Sequence, residues 1–348
     1  MALTDSIIVV GTRDSGSLLA IDRRTGAVRW ETKLDNSNFF FGRVLRQGNG
    51  LVYAAPYALS AVDPASGLVR WTYRVLVPGF EDVARYPAVQ GGALYVASQY
   101  GYVSRLNALT GAVEWQVDLR EAVFPATVAD TLVLVGTRSF ADTVNRDGPF
   151  GAGRVVALSQ TDGRIVWQAP VPDSAGFPGS GGVVTEPLVM SGVVIVGTMS
   201  SHVVGLRLAD GVKLWDHSDG SPVDAAYQSS PVAFGDVAAI LRNDGRLEAF
   251  DPGTGRRLWS LGGTLDYTVS IPQVARGRLY VVKQANVWIV GAGGQVLWRY
   301  GAAMDSRDGL PFFSLGPTIG DDGTIYATWT DQDGNPFVGA ILPPPGLR

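Results

Sequence analysis

Cysteine is absent from the 348 residues, which excludes disulfides, thiolate metal sites, iron–sulfur ligation and a cysteine nucleophile. Histidine is scarce: His202 and His217 are the only two, and they do not form a His-x-x-x-His metal pair. Charge is thin as well. Asp, Glu, Lys and Arg make up 17% of the chain, and 28 basic against 32 acidic residues leave a net charge of −4. That balance offers no basic footprint, so no nucleic-acid partner and no polybasic membrane patch are expected. No apolar run reaches the length of a transmembrane helix. Met1-Ala2-Leu3-Thr4-Asp5 lacks the basic and apolar regions of a signal peptide. What is abundant is apolar side chain, at 46%, and glycine, with 44 residues. The first supports a sizeable core and argues against disorder; the second asks for many tight turns.

A repeat organises the chain. Trp30, Trp71, Trp115, Trp167, Trp215, Trp259 and Trp298 follow one another at intervals of 39 to 52 residues. Four residues before each stands a glycine: Gly26, Gly67, Gly111, Gly163, Gly211, Gly255 and Gly294. The clearest copy is Ala20-Ile-Asp22-Arg-Arg-Thr25-Gly26-Ala-Val-Arg-Trp30. Ala61–Trp71 and Ala249–Trp259 are close to it. The copies at Asn107, Ser159 and Arg207 have lost the Asp, and the last keeps little beyond Gly294 and Trp298.

Each repeat reads as four short strands, labelled A to D from the axis outward. In the sixth they are Pro231–Phe234, Val237–Leu241, Leu247–Phe250 and Arg256–Trp259, with Asn243-Asp244-Gly245 as a tight hairpin. No segment carries a useful 3.6-residue period. Four strands in about 45 residues predict an all-β protein, an eight-bladed β-propeller of four-stranded antiparallel blades. A single domain over residues 1–348 is expected. Blade 1 has almost no room for strand A, and the unit after Trp298 supplies A, B and C only. Seven blades is the alternative, and it would leave the Thr324–Ile341 hairpin surplus. The missing strands suggest a chain trimmed from a longer parent at its N-terminus. Asp22 and Thr25 are expected to bond backbone donors in the C–D turn, Gly26 to take the left-handed conformation, and Trp30 to wedge between neighbouring blades.

The Ala-x-Asp-x-x-Thr-Gly-x-x-x-Trp pattern resembles the tryptophan-docking motif of the PQQ-like repeat propellers. That family includes quinoprotein alcohol dehydrogenases, BamB-like outer-membrane assembly lipoproteins and sensor ectodomains of bacterial kinases. The resemblance covers nearly the whole chain and implies a cell-envelope setting, with any leader absent from this sequence. The residues themselves leave a cytoplasmic setting open. By resemblance the chain is a non-catalytic scaffold for protein–protein interaction, similar to the BamB-like factors. One alternative is a ligand-sensing ectodomain of a signalling protein. Another is a PQQ-dependent dehydrogenase using PQQ with calcium. The dehydrogenases of this family are generally much longer and often carry a vicinal cysteine pair, which this chain lacks.

Loop parity assigns a face. A–B and C–D connections lie on one side; B–C and D–A connections lie on the other and include the longest excursions, 75–85, 138–152, 170–182, 218–227 and 301–312. Aromatic residues recur before the A strands. The candidate docking face for a protein or peptide comprises Phe41, Arg43, Phe80, Arg85, Tyr86, Phe177, Glu186, Tyr227, Gln228, Asp266, Tyr267, Phe312 and Phe313. The competing reading is that the aromatics cap the inner strands. A monomer is expected.

Chemistry is not legible. No Gly-x-Ser-x-Gly elbow, dinucleotide fingerprint or phosphate loop occurs, and His202 and His217 read as strand-end residues. Asp331-Gln-Asp333-Gly334-Asn335 imitates the start of a calcium loop but lacks the downstream Glu, and reads as a hairpin turn. No catalytic residue, metal site or cofactor is expected from the residues themselves.

Overall fold

Two-residue turns set the pitch of the fold. Asn49-Gly50, Ser191-Gly192 and Arg276-Gly277 each join an A strand to a B strand, and in all three pairs both residues have positive φ, between +50° and +76°. This backbone matches the right-handed twist of the flanking strands, so the hairpin closes without splaying. The structure is a computed structural model. It describes residues 1–12, 16–34, 45–55, 58–77, 80–82, 84–142, 147–172, 181–220, 227, 229–262, 271–283, 286–301, 316–330 and 336–348. Within these, residues 76–77, 80–82, 84–86, 141–142, 147–150, 283, 329–330 and 336 are described by backbone alone.

The chain divides into two compact units, Met1–Pro170 and Val171–Arg348. The first holds four four-stranded antiparallel sheets. In A-to-D order they are Ala2–Leu3, Ile7–Gly11, Ser17–Asp22 and Val28–Lys33; Leu45–Gly48, Leu51–Ala54, Leu59–Val62 and Val69–Tyr73; Ala84–Gln90, Ala93–Ser98, Tyr102–Asn107 and Val113–Asp118; Ala122–Ala129, Leu132–Arg138, Arg154–Ser159 and Ile165–Pro170. The second holds three more of the same kind: Leu188–Met190, Val193–Gly197, Val203–Arg207 and Lys213–His217; Val232–Phe234, Val237–Leu241, Leu247–Phe250 and Arg257–Leu261; Gln273–Ala275, Arg278–Lys283, Asn286–Val290 and Val296–Gly301. Its last sheet has three strands, Thr318–Ile319, Ile325–Thr330 and Pro336–Ile341. The chain is an eight-bladed β-propeller. Blade 1 does have an A strand: Ala2 and Leu3 pair with Val9 and Ile8, two residues sufficing where almost no room was expected. Blade 8 has the three strands anticipated. Among the described residues there is no α-helix, only a 3-10 turn at Pro345–Leu347.

The core lies between adjacent sheets. The B and C strands are buried on both faces, as in Val9, Leu18 and Ala20 packing with Val52, Ala54 and Val62 between blades 1 and 2. Equivalent clusters sit between blades 2 and 3, 3 and 4, 5 and 6, 6 and 7, and 7 and 8. The D strands differ. All seven carry a register shift at the residue before the tryptophan, as where Ala20 faces Trp30 while Ile21 faces Val28. The bulge leaves two consecutive residues on the solvent side, such as Ile165 and Val166 at 45% and 44% exposure.

Candidate interaction face

The repeat motif builds the junctions between blades. In the C–D turn of blade 1, Asp22 Oδ1 accepts the N–H groups of Arg24 and Thr25 at 2.9 and 2.8 Å. Asp63 and Asp251 repeat this, and Asn107 does so with its amide oxygen, so loss of the charge there keeps the turn. In the Arg207 copy Asp210 stands where Thr25 does in blade 1 and accepts the Val212 N–H at 3.1 Å, as Thr25 Oγ1 accepts that of Ala27 at 3.3 Å. Arg29 donates to Asp22 across the turn, and together with the turn amides it holds that carboxyl well below the usual carboxylate range.

Five of the outer tryptophans then reach the next blade. The indole N–H groups of Trp30, Trp71, Trp115, Trp215 and Trp259 donate to the carbonyls of Pro64, Ala108, Gln160, Pro252 and Ala292 at 2.9 to 3.2 Å. The rings lie on the glycines of those same turns. A Cβ on Gly67, Gly111, Gly163, Gly255 or Gly294 would come within 2.4 to 2.7 Å of an indole carbon, and all five have φ between +69° and +80°. Glycine is required twice over, for the backbone conformation and for the ring. Trp167 is buried, and Trp298 packs on the cluster between blades 7 and 8 and stacks on Tyr300.

The opposite face carries longer connections and ion clusters. The 75–85 excursion is a hairpin, Val75–Val77 with Phe80–Asp82, and the 138–152 insertion contains the ribbon Phe140–Asp142 with Asp147–Phe150. Between blades 3 and 4, Glu121 accepts from the Thr137 hydroxyl at 2.5 Å and from Arg154 Nε at 3.0 Å. Between blades 5 and 6 a larger cluster forms. Glu248, fully buried, accepts from the Tyr227 hydroxyl at 2.6 Å and from Arg257 at 2.7 Å, and lies 3.7 Å from Arg242. Arg242, only 1% exposed, also donates to Asp219 at 2.8 Å, and Arg246 joins Asp219 to Asp244. His217 packs edge-on against Phe250 beside this cluster. Burial, aided by the Arg257 charge, holds its imidazole below the ordinary value.

At the neck, prolines begin or bulge the A strands: Pro87, Pro125, Pro187, Pro231, Pro272 and Pro317. The missing N–H is tolerated because an A strand has a ladder partner on one side only. In the second unit the residues before these prolines meet. The Glu186 N–H donates to Ser230 Oγ at 3.0 Å, and a Cβ on Gly316 would sit 2.6 Å from the Ile271 carbonyl oxygen. Sequence reading passed over this signal, although the spacing of 44, 41 and 45 residues from Pro187 to Pro317 follows the blade repeat.

Of the candidate docking residues, Glu186 is half-buried at this neck. Tyr227 is corrected: it is 1% exposed, and burial together with the Glu248 charge pushes its hydroxyl pKa up, so it is a core residue between blades 5 and 6 and not a surface anchor. Gly197 makes the space, since a Cβ there would lie 2.4 Å from the Tyr227 Cβ. Phe80, Arg85 and Tyr86 are placed by backbone alone, Phe80 in the hairpin and the other two in strand A of blade 3. Phe41, Arg43, Phe177, Gln228, Asp266, Tyr267, Phe312 and Phe313 lie outside the described residues, as does the Asp331–Asn335 turn. The described residues hold no group of three or more His, Asp or Glu able to share a metal ion.

The comparisons with known proteins agree with this architecture. A family model described as the outer membrane protein assembly factor BamB matches residues 1–83, 58–222 and 150–262, so its matches run from residue 1 to residue 262. The chain belongs to the PQQ-repeat BamB family. A BamB from Yersinia pestis is 27% identical over 261 residues, covering 71% of this chain and 61% of that protein. The serine/threonine-protein kinase AfsK of Streptomyces griseus is 32% identical over 197 residues, covering 52% of this chain and 24% of the kinase. The chain thus spans less than two thirds of either relative's length. The crystal structure of BamB from Moraxella catarrhalis superposes with a TM-score of 0.65 at 19% identity, covering 97% of this chain and 92% of that one; at this identity the likeness is one of fold.

Proposed function

We propose that this BamB-family chain is a non-catalytic scaffold that holds a protein partner on its B–C/D–A face, in the cell envelope. The observation that carries the reading is the inequality of the connections. Six of the A–B turns have two residues and the C–D turns five or six, while D–A connections reach 17 residues and one B–C connection reaches 15. Long connections on a rigid base are where recognition residues concentrate. Membership in a family named for outer membrane protein assembly supports both the partner class and the location. Paired charge reversal, Arg85→Glu with Glu186→Arg, is expected to weaken capture of outer-membrane assembly proteins at least tenfold and to leave the thermal midpoint in place. Unchanged capture by a folded double variant defeats the reading.

A second reading is a sensor domain of a signalling kinase, favoured by the AfsK match, which is higher in identity than the Yersinia BamB match though shorter. A kinase domain in the same reading frame would decide for it. The scaffold reading involves no cofactor. Absorbance titration with PQQ and calcium is expected to show no saturable binding at high micromolar concentration, and saturation would replace the scaffold with a quinoprotein dehydrogenase.

A further inference from the structure

Two residues of the connection from blade 5 to blade 6, Asp219 and Tyr227, end on one charged cluster. Asp219 accepts from Arg242 at 2.8 Å and from Arg246 at 3.1 Å. The Tyr227 hydroxyl donates to Glu248 at 2.6 Å, and the Tyr227 N–H donates to the Thr198 carbonyl of blade 5 at 3.1 Å. Arg257 holds the other oxygen of Glu248 at 2.7 Å, and Arg246 pairs with Asp244 at 2.9 Å. Asp219, Asp244 and Glu248 thus balance Arg242, Arg246 and Arg257. Arg242 and Glu248 are 1% and 0% exposed, so a further charge here is poorly screened.

His217 is the group that can add one. It closes the outer strand of blade 5, two residues before Asp219, and its ring meets Phe250 edge-on at 5.0 Å. Its Nε2 is buried and makes no hydrogen bond among the described residues. A neutral imidazole leaves that atom as a bare lone pair; an imidazolium turns it into a buried N–H that needs an acceptor. Blade 6 turns Arg257, Arg242 and Glu248 toward the ring, and the connection turns Asp219 toward it. Asp244 is engaged by Arg246 in the turn beyond, and Asp216 on the histidine's own strand is engaged by His202 and Lys213. The carboxylates left to answer the new N–H are Glu248 and Asp219, the same two that anchor Tyr227 and the arginines.

We propose that His217 is a proton-operated release: its imidazolium draws Glu248 or Asp219 to itself and breaks the hold of the cluster on Tyr227 and Asp219. The neutral ring keeps both residues fixed. Release falls on the acid side, because burial and the Arg257 charge hold this imidazole below the ordinary 6.5. The cluster lies at the B–C/D–A face, so acid would loosen the seat of a bound protein there. That consequence rests on the scaffold reading, whereas the release itself is measured without a partner, so the two fail separately.

The test is an NMR pH titration of the whole chain carrying 3-fluorotyrosine and carbon-labelled histidine. The chain has two histidines, so His202→Gln leaves the His217 signal alone, and Tyr227→Phe identifies the Tyr227 fluorine signal. The His217 midpoint is expected below pH 6.5, with the Tyr227 signal moving at the same midpoint. Amide exchange at Asp219 and Gly220, corrected for its intrinsic pH dependence, is expected to be at least about tenfold faster at pH 5 than at pH 7.5. His217→Gln, which takes no proton in this range, should abolish both responses. Should that variant fold poorly, the coincidence of the two midpoints in the unaltered protein decides alone. A Tyr227 signal that stays put while His217 titrates, a His217 midpoint above 6.5, or an acid response that persists in folded His217→Gln overturns the proposal. So does a Tyr280 signal moving at the same midpoint, since that residue is buried between blades 7 and 8 and its response would mark general unfolding.

Discussion

At the scale of single residues, the same substitution should cost different amounts at equivalent positions. Gly26→Ala meets only the left-handed backbone penalty, about 1–2 kcal/mol. Gly111→Ala adds a collision with the Trp71 ring, whose Cδ2 would lie 2.7 Å from the new Cβ, and should lose at least ~2 kcal/mol more in denaturant unfolding. Glu248 is another pressure point. Replacing it with Leu deprives the buried Arg242 and the partly exposed Arg257 of a carboxylate, and urea unfolding should report a loss of about 3–5 kcal/mol. His217 gives a pH signature. Its folded pKa is lowered below the ordinary 6.5, mainly by burial, with Arg257 and Arg242 disfavouring the charge and Glu248 and Asp219 favouring it. The unfolded chain therefore takes the proton first. The histidine's contribution is complete above pH 6.5 and shrinks as the pH falls below that value. His217→Gln should flatten the thermal midpoint between pH 6.5 and 5 relative to the parent, and an unchanged slope would reject this assignment.

At the scale of the elements, the glycine–tryptophan interval marked every C–D turn and every outer strand, because that motif is local and repeats whole. The bulge before each tryptophan was not legible, since it lies in the register between two strands. Ala2–Leu3 escaped because two residues carry no alternation. Tyr227 was misassigned for a related reason. Its burial depends on the missing side chain at Gly197 and on a carboxylate 21 residues downstream, and neither neighbourhood is visible from position 227. The Arg242 cluster likewise gathers charges spread from Asp219 to Arg257. Since an indole links successive blades, Trp71→Ala should remove about 3–5 kcal/mol of stability. It should also speed amide exchange at Gly111 in the adjoining turn, and exchange confined to blade 2 would contradict that linkage.

At the scale of the molecule, the two sets of connections divide the labour. Turns of two residues with positive φ leave no freedom for growth, so variation in length gathers on the opposite face, where the hairpins at 75–82 and 140–150 rise. Fold class was readable from sequence because it rests on a motif that appears seven times. The identity of what binds was not, because most of the aromatic candidates fall in the long D–A connections, whose sequence does not repeat from blade to blade.

The five described indole junctions share a direction: the earlier blade gives a ring and the blade after it takes that ring at its C–D turn. Head-to-tail contacts of this sort are indifferent to how many modules stand in line. A gene duplication that adds or deletes one 45-residue unit would recreate the same joint at the seam, so the count of blades is free to drift in evolution while the rule for joining them stays constant.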